Sequence, residues 1–291
     1  MQSTVKDLIE NWAGERITQV ESLGGGCITQ AKRLCTESGK EYFVKTAQSH
    51  HGMFDAEANG LRELEKPGVI RIPEVLLQHD SFLLLEYISP GTPRDRTTFF
   101  RTFGARFARL HQFTAPEFGF YENNFIGSTP QANSPSRQEA RNWSEFYYNK
   151  RLLFQLKLAE KNGAASPEMI RGFAKLESAI HKILGGTDEP PSLLHGDLWS
   201  GNFLTDDSGE PCLIDPAVYY GHREADLAMT SLFGGFSNEF YQSYQETFPL
   251  IADYEYREPL YQLYHVMNHL NLFGSGYYGQ ALSILRFYQL C

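Results

Sequence analysis

Short runs of alternating apolar and polar residues fill the first third of the chain and predict strands. A stretch with helical spacing of its apolar positions, MFDAEANGLRELEK, interrupts them and ends at Pro67-Gly68, where a helix should stop. The pattern therefore predicts a small antiparallel sheet that carries one helix, at 53–66. The strands are expected over residues 16–23, 28–36, 41–47, 75–78 and 82–88.

After Ser89-Pro90-Gly91 the apolar positions take the longer spacing of amphipathic helices. Three short apolar pieces, SLL, NFL and CLI, interrupt this pattern and predict short strands, and QANSPSRQ is loop-like. We therefore expect an α+β fold with a sheet-rich lobe at 1–88 and a helix-rich lobe at 89–291. The helices are expected over residues 96–113, 138–161, 166–184, 224–233, 237–247, 256–272 and 276–290.

Composition narrows the class of protein. The 291 residues are 42% hydrophobic, enough for a substantial core. The 35 acidic against 26 basic residues argue against nucleic acid as the main partner. The amino terminus, MQSTVKDLIENWAG, is amphipathic without a signal-peptide pattern, and no apolar run is long enough to span a membrane, so we expect a cytoplasmic protein. The cysteines, which show no metal-binding spacing, are expected to be reduced thiols: Cys27, Cys35, Cys212 and Cys291.

Two features of the predicted sheet suggest chemistry. Gly24-Gly25-Gly26 lies at a strand-to-strand turn, where glycines let backbone N–H groups approach phosphate oxygens, although such a run is often only a turn. Lys45 lies in the middle of an apolar strand. If it faces inward it needs a partner, and Glu57 of the following helix is the first candidate. A solvated lysine on the outer face of the sheet is an equal alternative.

The stretch SLLHGDLWSGNF places Asp197 five residues before Asn202, and LIDP places Asp215 at the end of another apolar piece. Asn202 and Asp215 offer the hard oxygen atoms that Mg²⁺ prefers, and Asp197 would face the attacking group. His195 suits a packed, hydrogen-bonded core histidine better than a general base. The order of glycine turn, strand lysine, helix glutamate, acid, asparagine and second acid is that of kinase-type phosphoryl transfer.

Several longer stretches of the chain carry a family resemblance. LGGGCITQAKRL, NFIGSTPQ, LLHGDLWSGNFL and LIDPAVYYGHREADLAMTSLFGGF resemble the fructosamine kinase (ketosamine-3-kinase) family, a branch of the protein-kinase-like fold related to aminoglycoside and choline kinases. The similarity runs from about residue 15 to 290. It implies a bilobal fold, ATP and Mg²⁺ as cofactors, and phosphorylation of the 3-hydroxyl of a ketosamine, free or protein-bound, which leads to deglycation.

The resemblance also implies roles for individual residues. The implied catalytic residue is Asp197, the metal ligands are Asn202 and Asp215, Trp199 lines the sugar site, and Asp226 holds the catalytic loop through backbone N–H groups, with His195 as structural support. The implied ATP-binding residues are Gly24, Gly25, Gly26 and Cys27 of the phosphate loop, Lys45 with Glu57, and the hinge residues Glu86, Tyr87 and Ile88.

The chain departs from protein kinases in ways that bear on its substrate. HGD replaces HRD, Pro216-Ala217 follows Asp215, and eight residues separate Asp215 from the helix expected at Glu224. This is too short for a peptide-docking segment and favours a small substrate or a small adduct that protrudes from a protein. The resemblance implies that this partner is a ketosamine or a glycated protein. We expect a monomer or homodimer. The alternatives are a kinase for another small amine, such as an aminoglycoside or choline, and a non-catalytic kinase-like binding module.

Cys27, beside the predicted phosphate loop, is either an oxidisable thiol or a small inert residue.

Overall fold

A computed structural model describes residues 3–24, 30–47 and 52–289. Within these ranges five strands pair antiparallel in the order β1-β2-β3-β5-β4. They agree with the predicted strands to within two residues at each end. The elements are helix α1 (Ser3–Ala13), strands β1 (Ile17–Leu23), β2 (Gln30–Thr36) and β3 (Glu41–Thr46), helix α2 (Met53–Glu65), and strands β4 (Val75–His79) and β5 (Phe82–Glu86).

Helices cover the sheet on both faces, and this decides the surroundings of the residues of β3. Side chains alternate between the faces of a strand. Tyr42 and Val44 pack into a cluster with Val5 and Ile9 of α1. Phe43 and Lys45 therefore lie on the opposite face, where α2 packs. The sequence indicated an amphipathic amino terminus but did not predict α1 as a helix that covers the sheet.

Eight further α-helices follow β5 in the described residues. Side chains cap the starts of two of the long helices: Asp95 accepts from the Thr98 backbone N at 2.6 Å, and Ser166 accepts from the Met169 backbone N at 3.1 Å. The apolar faces join one large core that also includes α2. The helices are α3 (Arg96–His111), α4 (Trp143–Tyr147), α5 (Leu153–Lys161), α6 (Pro167–Ile183), α7 (Glu224–Leu232), α8 (Asn238–Thr247), α9 (Tyr254–Phe273) and α10 (Tyr278–Phe287).

The prediction of a single helix over 138–161 was wrong. Asn142 has extended backbone angles, φ −130° and ψ 107°, and its side chain accepts a hydrogen bond from the Glu145 backbone N at 3.1 Å. It therefore ends a short 3₁₀ turn and starts α4. A π-helical turn at Tyr148–Leu152 then separates α4 from α5. Helical periodicity of the apolar residues persists across such breaks, so the pattern alone could not reveal them.

Three two-stranded sheets lie outside the main sheet in the described ranges. SLL, NFL and CLI form strands, as predicted, within one residue of the expected positions, whereas the strands at 124–131 and at 219–221 were not predicted. Asp197 and Asp215 lie in the segments that follow strands of two of these sheets. The pairs are β6 (Asn124–Ile126) with β7 (Thr129–Gln131), β8 (Ser192–Leu194) with β11 (Tyr219–Gly221), and β9 (Phe203–Thr205) with β10 (Pro211–Leu213).

None of the helices in the described ranges combines the length and the apolar character needed to cross a lipid bilayer.

Candidate active site

Lys45 is buried and ion-paired. Its side chain is 8% exposed, its Nζ lies 2.5 Å from Oε1 of Glu57, and it also donates to Oδ1 of Asp215. Burial opposes the protonated form, but the carboxylates of Asp215 and Glu57 overcome this and hold the pKa of Lys45 above its usual value. The lysine thus faces inward and is charged. Of the two alternatives that the sequence left open, the structure shows the ion pair with Glu57.

Asp215 adopts a backbone conformation that is uncommon for residues other than glycine. Its φ is +55°, in the left-handed region, two residues beyond the end of β10. The side chain is 44% exposed and one oxygen contacts Lys45. Strained residues of this kind often lie at functional sites, where the surrounding structure enforces the geometry. The tight turn places the Asp215 carboxylate in a cavity beside Lys45 instead of continuing the strand.

The loop between β8 and β9 passes very close to the segment that follows Asp215. Gly196 has φ +83°, and a Cβ at this position would lie 2.0 Å from the carbonyl oxygen of Ala217. The His195 carbonyl oxygen accepts from the Ala217 backbone N at 2.8 Å. Glycine at 196 is therefore needed both for its backbone angle and for the close approach. This contact brings Asp197 and Asp215 to one side of the molecule.

Asp226, near the start of α7, holds the first residues of that loop. Its carboxylate accepts from the backbone N atoms of His195 at 2.6 Å and Gly196 at 2.7 Å, and His111 Nε2 lies 3.2 Å away. Burial would raise the pKa of Asp226, but the neighbouring donors hold it below its ordinary value. The hydrogen bonds that the resemblance implied between Asp226 and loop N–H groups are thus present.

His195 uses both ring nitrogens within the fold. Nε2 lies 2.9 Å from the Ile214 carbonyl oxygen, and Nδ1 accepts from the Asp197 backbone N at 3.3 Å. The side chain is fully buried, and burial lowers its pKa. This is the packed arrangement that the sequence favoured over a general base.

Asp197 and Asn202 contact each other across the loop. The Asn202 Nδ2 donates to the Asp197 backbone oxygen at 2.7 Å and to its Oδ2 at 3.2 Å. Because the amide nitrogen is used in this way, Oδ1 of Asn202 is the atom that can ligate a cation. Burial, followed by the negative charge of Asp215, raises the pKa of Asp197. A nearby cation would counter both effects and favour the ionised carboxylate.

One cavity of about 300 Å³ brings six of the predicted site residues together. Trp199 lies at its edge, 38% exposed, with its ring 6.4 Å from that of Phe233. A flat, half-exposed indole suits contact with the C–H surface of a sugar. The predicted residues that line the cavity are Lys45, Glu57, Asp197, Trp199, Asn202 and Asp215.

The predicted hinge residues do not line this cavity. The Glu86 backbone N donates to the Glu74 carbonyl oxygen at 2.9 Å, so any nucleotide contact from Glu86 must use its carbonyl group. The Glu86 side chain is held by Arg71, which also binds Asp206, at 2.6 and 2.7 Å. Tyr87 packs under the Arg33 guanidinium, 5.0 Å from the ring centre, and Ile88 is buried.

The glycine turn is described in part. Gly24, just after β1, is exposed and has open space where a Cβ would stand. Gly25, Gly26 and Cys27 lie outside the described residues, so their predicted phosphate contacts and the proposed redox role of Cys27 stay predictions.

Two segments of the cavity wall were missed from sequence. One is the β6–β7 hairpin, which contributes residues 124–127. The other is the end of α9, which contributes Asn268, His269, Leu272 and Phe273. The hairpin lies in NFIGSTPQ, a stretch that served only as a mark of resemblance. The residues of α9 follow ordinary helical spacing, so no local signal separates them from core residues.

Comparisons with known proteins identify the family of this chain. The profile of the fructosamine kinase family matches residues 1–289. A chloroplastic protein-ribulosamine 3-kinase of Oryza sativa subsp. indica is 40% identical over 98% of this chain and 84% of its own length. A crystal structure assigned as a fructosamine-3-kinase of Thermobifida fusca superposes with a TM-score of 0.89, at 32% identity and full coverage of both chains.

A more distant likeness concerns the fold alone. The choline kinase LicA of Streptococcus pneumoniae superposes with a TM-score of 0.67 at 16% identity, over 100% of this chain and 99% of its own. The predicted α+β, bilobal, protein-kinase-like fold is thereby confirmed.

Proposed function

This chain belongs to the fructosamine kinase family and is a phosphotransferase, and from this premise we propose that it phosphorylates the 3-hydroxyl of ketosamines with ATP. The acceptor is a fructosamine or ribulosamine, free or attached to a protein. The names of its relatives support this substrate class. We place the ATP-binding lobe in residues 1–88 and the catalytic and substrate-binding lobe in residues 89–291.

The product would lead to deglycation by its own chemistry. A phosphate on C3 lies next to the C2 carbonyl group. Loss of a proton from C1 allows this phosphate to leave as inorganic phosphate. The resulting imine adds water and releases the free amine together with a deoxy sugar dicarbonyl. The enzyme therefore needs to catalyse only the phosphoryl transfer, and repair of the amine follows.

Asp197 is the residue that acts on the acceptor. Its carboxylate, held by Asn202, accepts a hydrogen bond from the attacking hydroxyl and orients it in line with the transferring phosphoryl group. It then takes the proton as the new O–P bond forms and the bond to the ADP oxygen breaks. Trp199, at the cavity edge, would hold the sugar so that the 3-hydroxyl faces Asp197.

Lys45, Asn202 and Asp215 act on the phosphates. The buried ammonium of Lys45 offers positive charge where phosphate oxygens would lie, and Glu57 holds it there. One amide oxygen and one half-exposed carboxylate fit Mg²⁺, which takes hard oxygen ligands from one or two protein groups and completes its shell with phosphates and water. Such an ion neutralises negative charge on the phosphates when bound.

A single observation carries the proposal. The cavity that holds Lys45 and both candidate metal ligands also holds Asp197 and Trp199. Donor-side and acceptor-side groups therefore meet in a space of about 300 Å³, which suits a small sugar adduct better than a folded peptide segment.

A substrate panel tests the proposal. ATP consumption is measured with fructosyl-, ribulosyl- and erythrulosyl-amines and, in parallel, with aminoglycosides and choline. We expect activity with the ketosamines. Activity confined to aminoglycosides or choline would replace the proposed substrate class with the alternative one. Failure to bind Mg²⁺ and ATP in a thermal-shift titration would instead support a non-catalytic binding module.

A further inference from the structure

His265 on α9 lies beside Asp197 with an unpaired nitrogen. Its Nδ1 is 3.9 Å from Oδ1 of Asp197, and the His265 side chain is 4% exposed. Among the described residues this Nδ1 has no hydrogen-bond partner. A buried nitrogen without a partner costs free energy, so its presence calls for an explanation.

Burial keeps the His265 ring neutral. It lowers the pKa of His265 to about 3, and His269 and Arg151 act in the same direction, whereas Asp226 opposes them. A neutral imidazole carries one N–H, on either Nδ1 or Nε2. An ionised carboxylate only accepts hydrogen bonds, so the tautomer that can pair with Asp197 is the one with its proton on Nδ1.

The two oxygens of Asp197 face different partners. Asn202 donates to Oδ2, while Oδ1 is the oxygen nearest to His265. A separation of 3.9 Å is too long for a hydrogen bond, but hydrogen bonds of catalytic groups often shorten when substrates bind. A small rotation of the Asp197 side chain would shorten the distance between Nδ1 and Oδ1 by about 1 Å, to that of a hydrogen bond.

We propose that His265 is a positioning residue for Asp197: its Nδ1–H donates to Oδ1 in the reacting complex and, opposite Asn202, fixes the plane of the carboxylate. This inference rests on the proposed function, because it assumes that Asp197 faces the acceptor hydroxyl. It assigns His265 a role in the rate of transfer and none in the binding of either substrate.

Two substitutions at 265 separate this role from a packing role. His265→Leu removes the donor and keeps the bulk. We expect it to lower kcat about 10- to 100-fold, the cost of a carboxylate held about 1 Å out of place. KM for ATP and for the acceptor should stay within about twofold. His265→Asn places an amide nitrogen near the Nδ1 position and should restore most of kcat. Equal losses in both variants, or no loss in His265→Leu, would overturn the proposal.

A double variant tests whether His265 acts through Asp197. In an Asp197→Asn background, His265→Leu should cause no further fall in the residual rate, because the group that it positions has been replaced. A further tenfold fall would show that His265 acts independently of Asp197, and that result also overturns the proposal. Thermal unfolding of each variant identifies any that have lost the fold.

A second measurement does not depend on activity. In protein labelled with ¹⁵N at the histidine rings, nitrogen chemical shifts identify the His265 tautomer, with His265→Asn to assign the signal. We expect the proton on Nδ1, and a change in its signal in Asp197→Asn. A proton on Nε2 would overturn the inference. If the wild type phosphorylated no ketosamine, the proposed function would fail, and these spectra would still decide the pairing of His265 and Asp197.

Discussion

Lys45 and Glu57 form a buried ion pair, with 2.5 Å between Nζ and Oε1. The same ammonium also contacts Asp215, 170 residues further along the chain. The pair therefore connects the sheet, α2 and the segment after β10 at one point. It serves the fold and the proposed chemistry together, and substitutions can separate the two.

Lys45→Met should weaken both the fold and nucleotide binding. It leaves Glu57 buried without its partner, which should lower the free energy of unfolding by about 3 kcal/mol. Urea unfolding and an ATP titration measure the two effects. The double variant Lys45→Met/Glu57→Leu should recover part of the stability but none of the ATP binding. Wild-type affinity for ATP in Lys45→Met would contradict the role given to this lysine.

Asp197→Asn should leave the binding of ATP nearly unchanged and lower turnover at least about a hundredfold, as expected for loss of a general base. Asp80→Asn, at an exposed aspartate between β4 and β5, is the control and should keep full activity. Steady-state kinetics with a ketosamine and a separate ATP titration provide the measurements. Wild-type turnover in Asp197→Asn would remove this residue from the mechanism.

Gly196→Ala should destabilise the protein far more than Gly163→Ala. Both glycines have positive φ, +83° and +71°, but only Gly196 has a backbone oxygen within 2.0 Å of where the Cβ would stand. Gly163→Ala should lower the free energy of unfolding by about 1 kcal/mol, because of its backbone conformation alone. Gly196→Ala should lower the free energy of unfolding by at least about 3 kcal/mol, or prevent folding. Similar unfolding midpoints in urea would show that the loop adapts to a side chain.

His222 should make the protein less stable in mild acid. Burial, aided by Arg223 and Arg257, lowers its pKa to about 3, and the nearby Glu189 and Glu224 are each paired with an arginine. Between this value and the ordinary pKa of about 6.5, the unfolded chain binds a proton that the folded chain does not, so stability falls as the pH falls.

Between pH 7 and pH 5, His222 alone should lower the free energy of unfolding by about 2 kcal/mol. Because the raised pKa of Asp197 contributes with the opposite sign, the test compares wild type with His222→Gln. Urea unfolding at both pH values should show a loss about 2 kcal/mol larger in the wild type. An identical pH dependence in the two proteins would contradict the prediction.

Local patterns predicted the parts of the fold that depend on neighbouring residues. The alternation in EYFVKT predicted β3, but only the packing of α1 and α2 on its two faces decided that Lys45 points inward. Asn142, which breaks the predicted helix over 138–161, looks like any polar residue on a helix surface until its side chain is seen to cap α4. Sequence periodicity therefore gave the elements and left their packing open.

The candidate site also contains some contacts that were predictable from the sequence and others that were not. Asp197 and Asn202 lie in one loop, so their proximity was predictable from spacing. The contact between Lys45 and Asp215, and that between Asp197 and His265, join elements far apart in sequence. Such contacts depend on how the β6–β7 hairpin, α9 and the sheet come together. No short-range pattern in the sequence specifies this arrangement.

Identification of the product tests the central claim most directly. The protein is incubated with ATP, Mg²⁺ and a ribulosyl- or fructosyl-amine, and the reaction is followed by ³¹P NMR and mass spectrometry. The account predicts a sugar phosphate esterified at the 3-hydroxyl, followed by release of inorganic phosphate and the free amine, with all three formed at least about a hundredfold more slowly by Asp197→Asn. Phosphate on another hydroxyl, or an unmodified ketosamine beside an active wild-type enzyme, would contradict it.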